Sequence, residues 1–241
     1  SKSIEGSGLP SDYKKAIAEY IWNGFDAGAS TINIDFSANS IGTLESFSIS
    51  DNGSGISFDN ISDTFGNFMV SLKANSFSET GFVKGKKGKG RYSFSTFCNK
   101  ATWSTIFKTK EDKFLEYNIQ IKKESSQDFE TFDRVISKEQ KTGTKVIFEG
   151  FTEIYGDLLD NEEFEKFLAN EFGWFLYLNK ERDFKILLNN NPLDYFSVID
   201  DTDEKNIPIG DYNFKVSYIR WKEKIGDKYY YYFLNDEKKQ V

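Results

Sequence analysis

From Tyr13 to Ala27 the chain is apolar on one side and polar on the other at helical spacing. Tyr13, Ile17, Tyr20, Ile21 and Gly24 fall together. Lys15, Glu19, Asn23 and Asp26 fall on the opposite side within about 80° of arc, at ~100° per residue. Pro10, Ser11 and Asp12 supply a helix start, and Gly28 a stop. The period then changes to two. Ile32, Ile34 and Phe36 alternate through residues 30–36. Phe47, Ile49 and Asp51 alternate through a second strand that runs into the turn signal Asp51-Asn52-Gly53. Residues 57–93 break the pattern: they are rich in Ser, Asn, Gly and Lys, with a short helix predicted at 59–73. A long irregular insert of this kind is more often functional than idle. Cys98 is expected as a small buried residue in a helix after the insert. Strands are predicted at 101–109, 114–123, 130–137 and 144–150. A second helix is predicted over 160–180, with Phe164, Phe167, Leu168, Phe172 and Phe175 at helical spacing. Strands follow at 184–189, 212–221 and 228–235, the last two read as a pair. This order predicts an α+β fold, a two-layer sandwich with helices on one face of a mixed, mainly antiparallel sheet.

Composition narrows the chemistry. The 241 residues include no histidine and one cysteine. That excludes Ser-His-Asp and Cys-His catalysis, a phosphohistidine relay, an internal disulfide framework and multi-thiolate metal sites within this chain. No apolar run approaches the roughly 18 residues of a membrane helix, so no membrane partner is expected. The net charge is −7, with 19 basic and 19 acidic groups in residues 1–150 and 12 basic and 19 acidic in residues 151–241. A non-specific nucleic-acid surface is not the expectation from that balance. The chain opens at Ser1 without a methionine and is read as an N-terminal piece of something longer.

Four stretches carry candidate chemistry. Glu19, Asn23 and Asp26 stack on one helix face. Alone they describe a solvated face, but Trp22 and Phe25 flank them, so part of the stripe is expected to be half buried. There a carboxylate can act as general base, and an asparagine oxygen is a hard ligand suited to magnesium. Asp51 shares the parity of Phe47 and Ile49, so it should point inward, where an unpartnered carboxylate is costly. A purine amine would supply the missing donor. Gly53 and Gly55, before Ile56, would let a flat base lie against backbone. Gly85, Gly88 and Gly90 interrupt a basic run that includes Lys89 and Arg91, a pattern suited to an anion nest. It lacks the Ser or Thr of a P-loop. Thr144, after Gly143, opens a strand and is unremarkable alone.

In this order the four resemble the ATP-binding domain of the GHKL superfamily, which includes gyrase B, the ninety-kilodalton heat-shock chaperone, histidine kinases, MutL and MORC ATPases. The resemblance covers about residues 10–190 and implies a Bergerat-type sandwich. It implies that Glu19 orients the attacking water and that Asn23 holds Mg2+, with Asp26 beside it on the ribose and phosphate side. Asp51 would bond the adenine amine, with Thr144 assisting through water and Gly53, Gly55 and Ile56 against the base. Gly85, Gly88, Lys89, Gly90 and Arg91 would belong to an ATP lid at about 65–92. It further implies a nucleotide-binding domain over 1–185 and, over 186–241, the opening of a transducer-like second domain. ATP-driven lid closure and homodimerisation through residues 1–10 would control an effector, in the cytoplasm or a nucleus. Nucleic acid would enter only through parts beyond this chain. Glu19 disfavours a histidine kinase, which needs no water-activating carboxylate. A non-hydrolysing ATP sensor or scaffold is the alternative that an intact Glu19 disfavours.

Overall fold

The computed structural model describes residues 10, 12–61, 65, 90–126 and 128–223. Helix α1 spans Tyr13–Asp26, capped by Asp12, whose side chain accepts from the Lys14 amide at 2.9 Å. Strands β1 (Thr31–Ala38) and β2 (Leu44–Asp51) follow. After a 3-10 stretch, Gly90–Thr96, come β3 (Cys98–Lys108), β4 (Phe114–Lys122), β5 (Glu130–Ile136) and β6 (Gly143–Phe151). Helices α2 (Gly156–Leu159) and α3 (Glu162–Leu178) precede β7 (Lys185–Leu188), β8 (Asn191–Pro192), β9 (Ile199–Ile209) and β10 (Tyr212–Trp221).

One eight-stranded sheet runs in the order β5-β4-β3-β6-β2-β1-β7-β8. Its pairings are antiparallel except β1 with β7, which is parallel. The mixed, mainly antiparallel α+β sandwich expected from the sequence is what the chain forms. Register turns the helix-facing side of the sheet into rows. Phe36, Phe47, Phe148, Ala101 and Ile121 lie in one, and Ile34, Ile49, Val146, Trp103 and Ile119 in the next. These are core residues: Phe47 and Phe148 pack ring to ring at 4.9 Å and are almost fully buried. Burying one such side chain stabilises by about 1.5–3 kcal/mol. A third row, Ile32, Asp51, Thr144, Thr105 and Tyr117, ends the sheet face with polar groups. Helix α1 covers these rows through Tyr20, whose ring lies 5.1 Å from Phe148. Trp22 and Phe25 join α1 to Phe172 and Phe175 of α3.

Several expectations need correction. Cys98 is buried as expected but opens strand β3 rather than lying in a helix, because only the 3-10 stretch intervenes. Among the described residues Tyr212–Trp221 pairs with Ile199–Ile209, a strand the sequence reading left unassigned. Residues 228–235 lie outside the described residues, as do residues 1–9. Of the helix predicted at 59–73, a 3-10 turn at Phe58–Asn60 and helical Ile61 and Phe65 are described. Residues 186–188 and 191–192 pair at the edge of the main sheet, and β9 and β10 form a ribbon beyond it. Trp221 seats that ribbon on α3: a Cβ placed on Gly173 would lie 3.2 Å from its ring. No helix among the described residues is long and apolar enough to cross a membrane.

Candidate functional site

The polar row meets the C-terminal half of α1. Asp51 faces Gly24, where a Cβ would come within 2.4 Å of Ile32 Cδ1 and 3.1 Å of Asp51 Cβ. A side chain at 24 would therefore displace the Ile32 terminal methyl and crowd Asp51. Asp51 accepts from the Gly53 amide at 2.8 Å. Burial raises its carboxyl above the ordinary aspartate range, and the amides of Gly53 and Thr144 counter only part of that. The inward orientation expected from strand parity is thus observed.

The loop after Asp51 is fastened on both sides. Asn52 Oδ1 accepts from the amides of Ser30 and Thr31, each at 2.9 Å. Ser54 donates its amide to Ala27 O at 2.9 Å. Gly55 has φ +72°, and a Cβ there would lie 2.1 Å from Ile106 O, so the turn admits only glycine. Ile56 is held at both backbone groups: its amide donates to Thr105 Oγ1 at 2.9 Å, and its carbonyl accepts from Tyr117 Oη at 2.9 Å. Thr105 also approaches Thr144 Oγ1, at 3.0 Å. Gly53, Gly55, Ile56 and Thr144 therefore gather around Asp51. Asn52, Thr105 and Tyr117 belong to the same constellation, and the sequence reading assigned them no role. Thr105 and Tyr117 carry strand-pattern parity but join the row only through non-sequential pairings. Asn52 was visible as an Asx turn residue.

Glu19 sits half buried one turn before Asn23, which is exposed, as is Asp26 in the last turn. A Cβ on Gly90 would lie 2.7 Å from Glu19 Oε2, so that carboxylate rests against the residue where the 3-10 stretch begins. Tyr20, next to Glu19, anchors the stretch: its buried hydroxyl donates to Arg91 O at 2.7 Å and accepts from the Phe94 amide at 3.1 Å. Tyr92 Oη donates to Phe65 O at 2.8 Å, and the Arg91 guanidinium lies 4.7 Å from the Phe65 ring centre. Phe65 and residues 91–92 thus meet beside Trp103, whose ring is 5.3 Å from that of Phe65. Arg91 is placed over Phe65 in this structure, and burial lowers its pKa. Gly85, Gly88 and Lys89 lie outside the described residues.

Among the described residues no cluster of three or more Asp, Glu, Cys or His could hold a metal alone. A metal with Asn23 as its protein oxygen would need further ligands from phosphate, a donor set that suits Mg2+.

No curated protein matches the chain. A family model described as histidine kinase-, DNA gyrase B- and HSP90-like ATPase matches residues 11–148, more than half of its length. The match takes in α1 with Glu19, Asn23 and Asp26, the Asp51–Ile56 loop, the 3-10 stretch and Thr144. The chain belongs to the GHKL superfamily of ATPases.

Proposed function

We propose that the chain binds Mg·ATP between α1, the Asp51–Ile56 loop and the Gly90–Thr96 stretch, and hydrolyses it. The observation that carries this reading is Asp51: a carboxylate burial makes costly, aligned with buried hydroxyls and only partly compensated by two amides. The exocyclic amine of adenine is the donor it lacks. Gly53, Gly55 and Ile56 would seat the base, with Thr144 reaching it through water. Asn23, with the phosphates, would hold Mg2+, which supplies charge neutralisation at the transferring phosphate. Asp26 would take the ribose and phosphate side. Glu19, held beside Gly90, would accept the proton of the attacking water. Lys89 and Arg91, with Gly85, Gly88 and Gly90, would close over the phosphates within a lid at about 65–92. The nucleotide unit would occupy 1–185, and 186–241 would open a transducer-like unit that carries ATP-driven homodimerisation to an effector.

Calorimetry with Mg·ATP, run beside phosphate release, tests the reading. The parent protein should bind in the micromolar to millimolar range, and Asp51→Asn should lose binding. Glu19→Ala should keep binding and lose turnover by about 100- to 10,000-fold. Equal binding by Asp51→Asn refutes the base pocket. Equal turnover by Glu19→Ala leaves a nucleotide sensor as the function.

A further inference from the structure

Thr105 is completely buried and makes three polar contacts. The Ile56 amide lies at 2.9 Å, the Gly143 carbonyl oxygen at 3.2 Å and the Thr144 hydroxyl at 3.0 Å. The hydrogen-bonding inventory of these groups leaves one arrangement that satisfies all three. An amide N–H only donates, so Ile56 takes one lone pair of Thr105. A carbonyl only accepts, so the single Thr105 proton goes to Gly143. The remaining lone pair of Thr105 then receives the Thr144 proton. Thr144 is left with lone pairs and no proton for its other partners. Its cross-strand neighbour Asp51 is likewise an acceptor when ionised.

We propose that Thr105 is a positioning residue that sets base selectivity by holding the Thr144 hydroxyl as an acceptor. The inference rests on the reading of Asp51 and Thr144 as purine contacts. Two neighbouring acceptors meet purines unequally. Adenine donates its amine to Asp51, but its N1 is an acceptor and reaches Thr144 only through a water that gives one proton to each. Hypoxanthine sets an oxygen against Asp51 and an N1–H against Thr144. Without Thr105 the Thr144 proton is free to turn toward N1. That helps adenine and removes the fixed complement to N1–H.

ATP and inosine triphosphate, titrated against the parent protein and three variants, read this out as a ratio of affinities. Thr105→Val should raise the ATP preference about tenfold, the worth of one hydrogen bond. Thr105→Ser keeps the hydroxyl and should restore the parental ratio. Thr144→Val should weaken inosine triphosphate more than ATP. It decides alone if Thr105→Val does not fold. An equal loss of both nucleotides in Thr105→Val, or a greater loss of ATP in Thr144→Val, overturns the orientation. A parent protein that binds neither nucleotide overturns the purine site and this inference together. Binding with an unmoved ratio overturns this inference alone.

Discussion

Replacing Gly90 with alanine should separate stability from chemistry. The new Cβ would fall 2.7 Å from Glu19 Oε2, with Glu19 Cβ and Cδ the next neighbours at 3.6 Å. An ordinary contact begins near 3.4 Å, so the carboxylate must retreat by about 0.7 Å. It is the end of a flexible side chain and can move at little cost. Gly90 lies in the 3-10 stretch, a conformation alanine also adopts, and alanine there reduces unfolded-state freedom by about 0.4–1 kcal/mol. Stability should therefore hold or rise slightly. Catalysis is less forgiving: a 1 Å misplacement costs on the order of 100-fold, so a loss on the order of tenfold is expected here. The assay is phosphate release at saturating ATP, run beside calorimetric affinity and a urea unfolding curve. Parental turnover would refute the assignment of chemistry to Glu19 at this position. Turnover falling together with the unfolding midpoint would show that Gly90 matters for packing instead.

Tyr20→Phe removes a buried hydroxyl that serves Arg91 O and the Phe94 amide, and should cost about 1–3 kcal/mol in urea unfolding; a change under ~0.3 kcal/mol would contradict it. ATP affinity should fall as pH drops through a value above 3.8, because burial raises Asp51 and its ionised form is the stronger acceptor for the amine. In the same window the carboxyl's own contribution to stability improves, since protonation relieves a penalty present only in the folded state. Calorimetry across pH 4–7 with no decline would speak against Asp51 as the acceptor. Burial pushes the Cys98 thiol up to about 12, so a thiol reagent near pH 8 should label it only after unfolding, and rapid labelling of folded protein would contradict its burial.

Much of the candidate site was legible because its signals are local. Asp51 could be oriented from Phe47 and Ile49, four and two residues away on its own strand. Glu19, Asn23 and Asp26 share a face by helical period alone. Thr105 could not be found this way. Its neighbour Thr144 arrives through the pairing of β3 with β6, and nothing near Thr105 in sequence announces that register. Strand β9 was hidden for a different reason. Asp200, Asp201, Asp203, Glu204 and Pro208 suppress the alternating signal, and the acids are answered from across the ribbon, from Lys180 and from Lys205 of the same strand. Arg220 pairs with Asp200 and Asp201, and Lys215 with Glu204. Cys98 was expected in a helix after the insert. The chain instead spends one short 3-10 stretch there and enters β3.

The polar row also bears on the order in which the molecule is made. Ile32 meets Asp51 within a single hairpin, a contact open to a short emerging chain. Asp51 meets Thr144 only after three more strands have been synthesised, and Thr105 then has to pair on both sides. Contacts so distant along the chain close late, since loop-closure entropy must be met before they contribute. A ribosome-bound chain that stops short of residue 143 holds Asp51 without its hydroxyl neighbour. Nucleotide bound at the proposed site would therefore act on folding as a final clasp that slows reopening of the β2–β6 seam. It has nothing to template at the start.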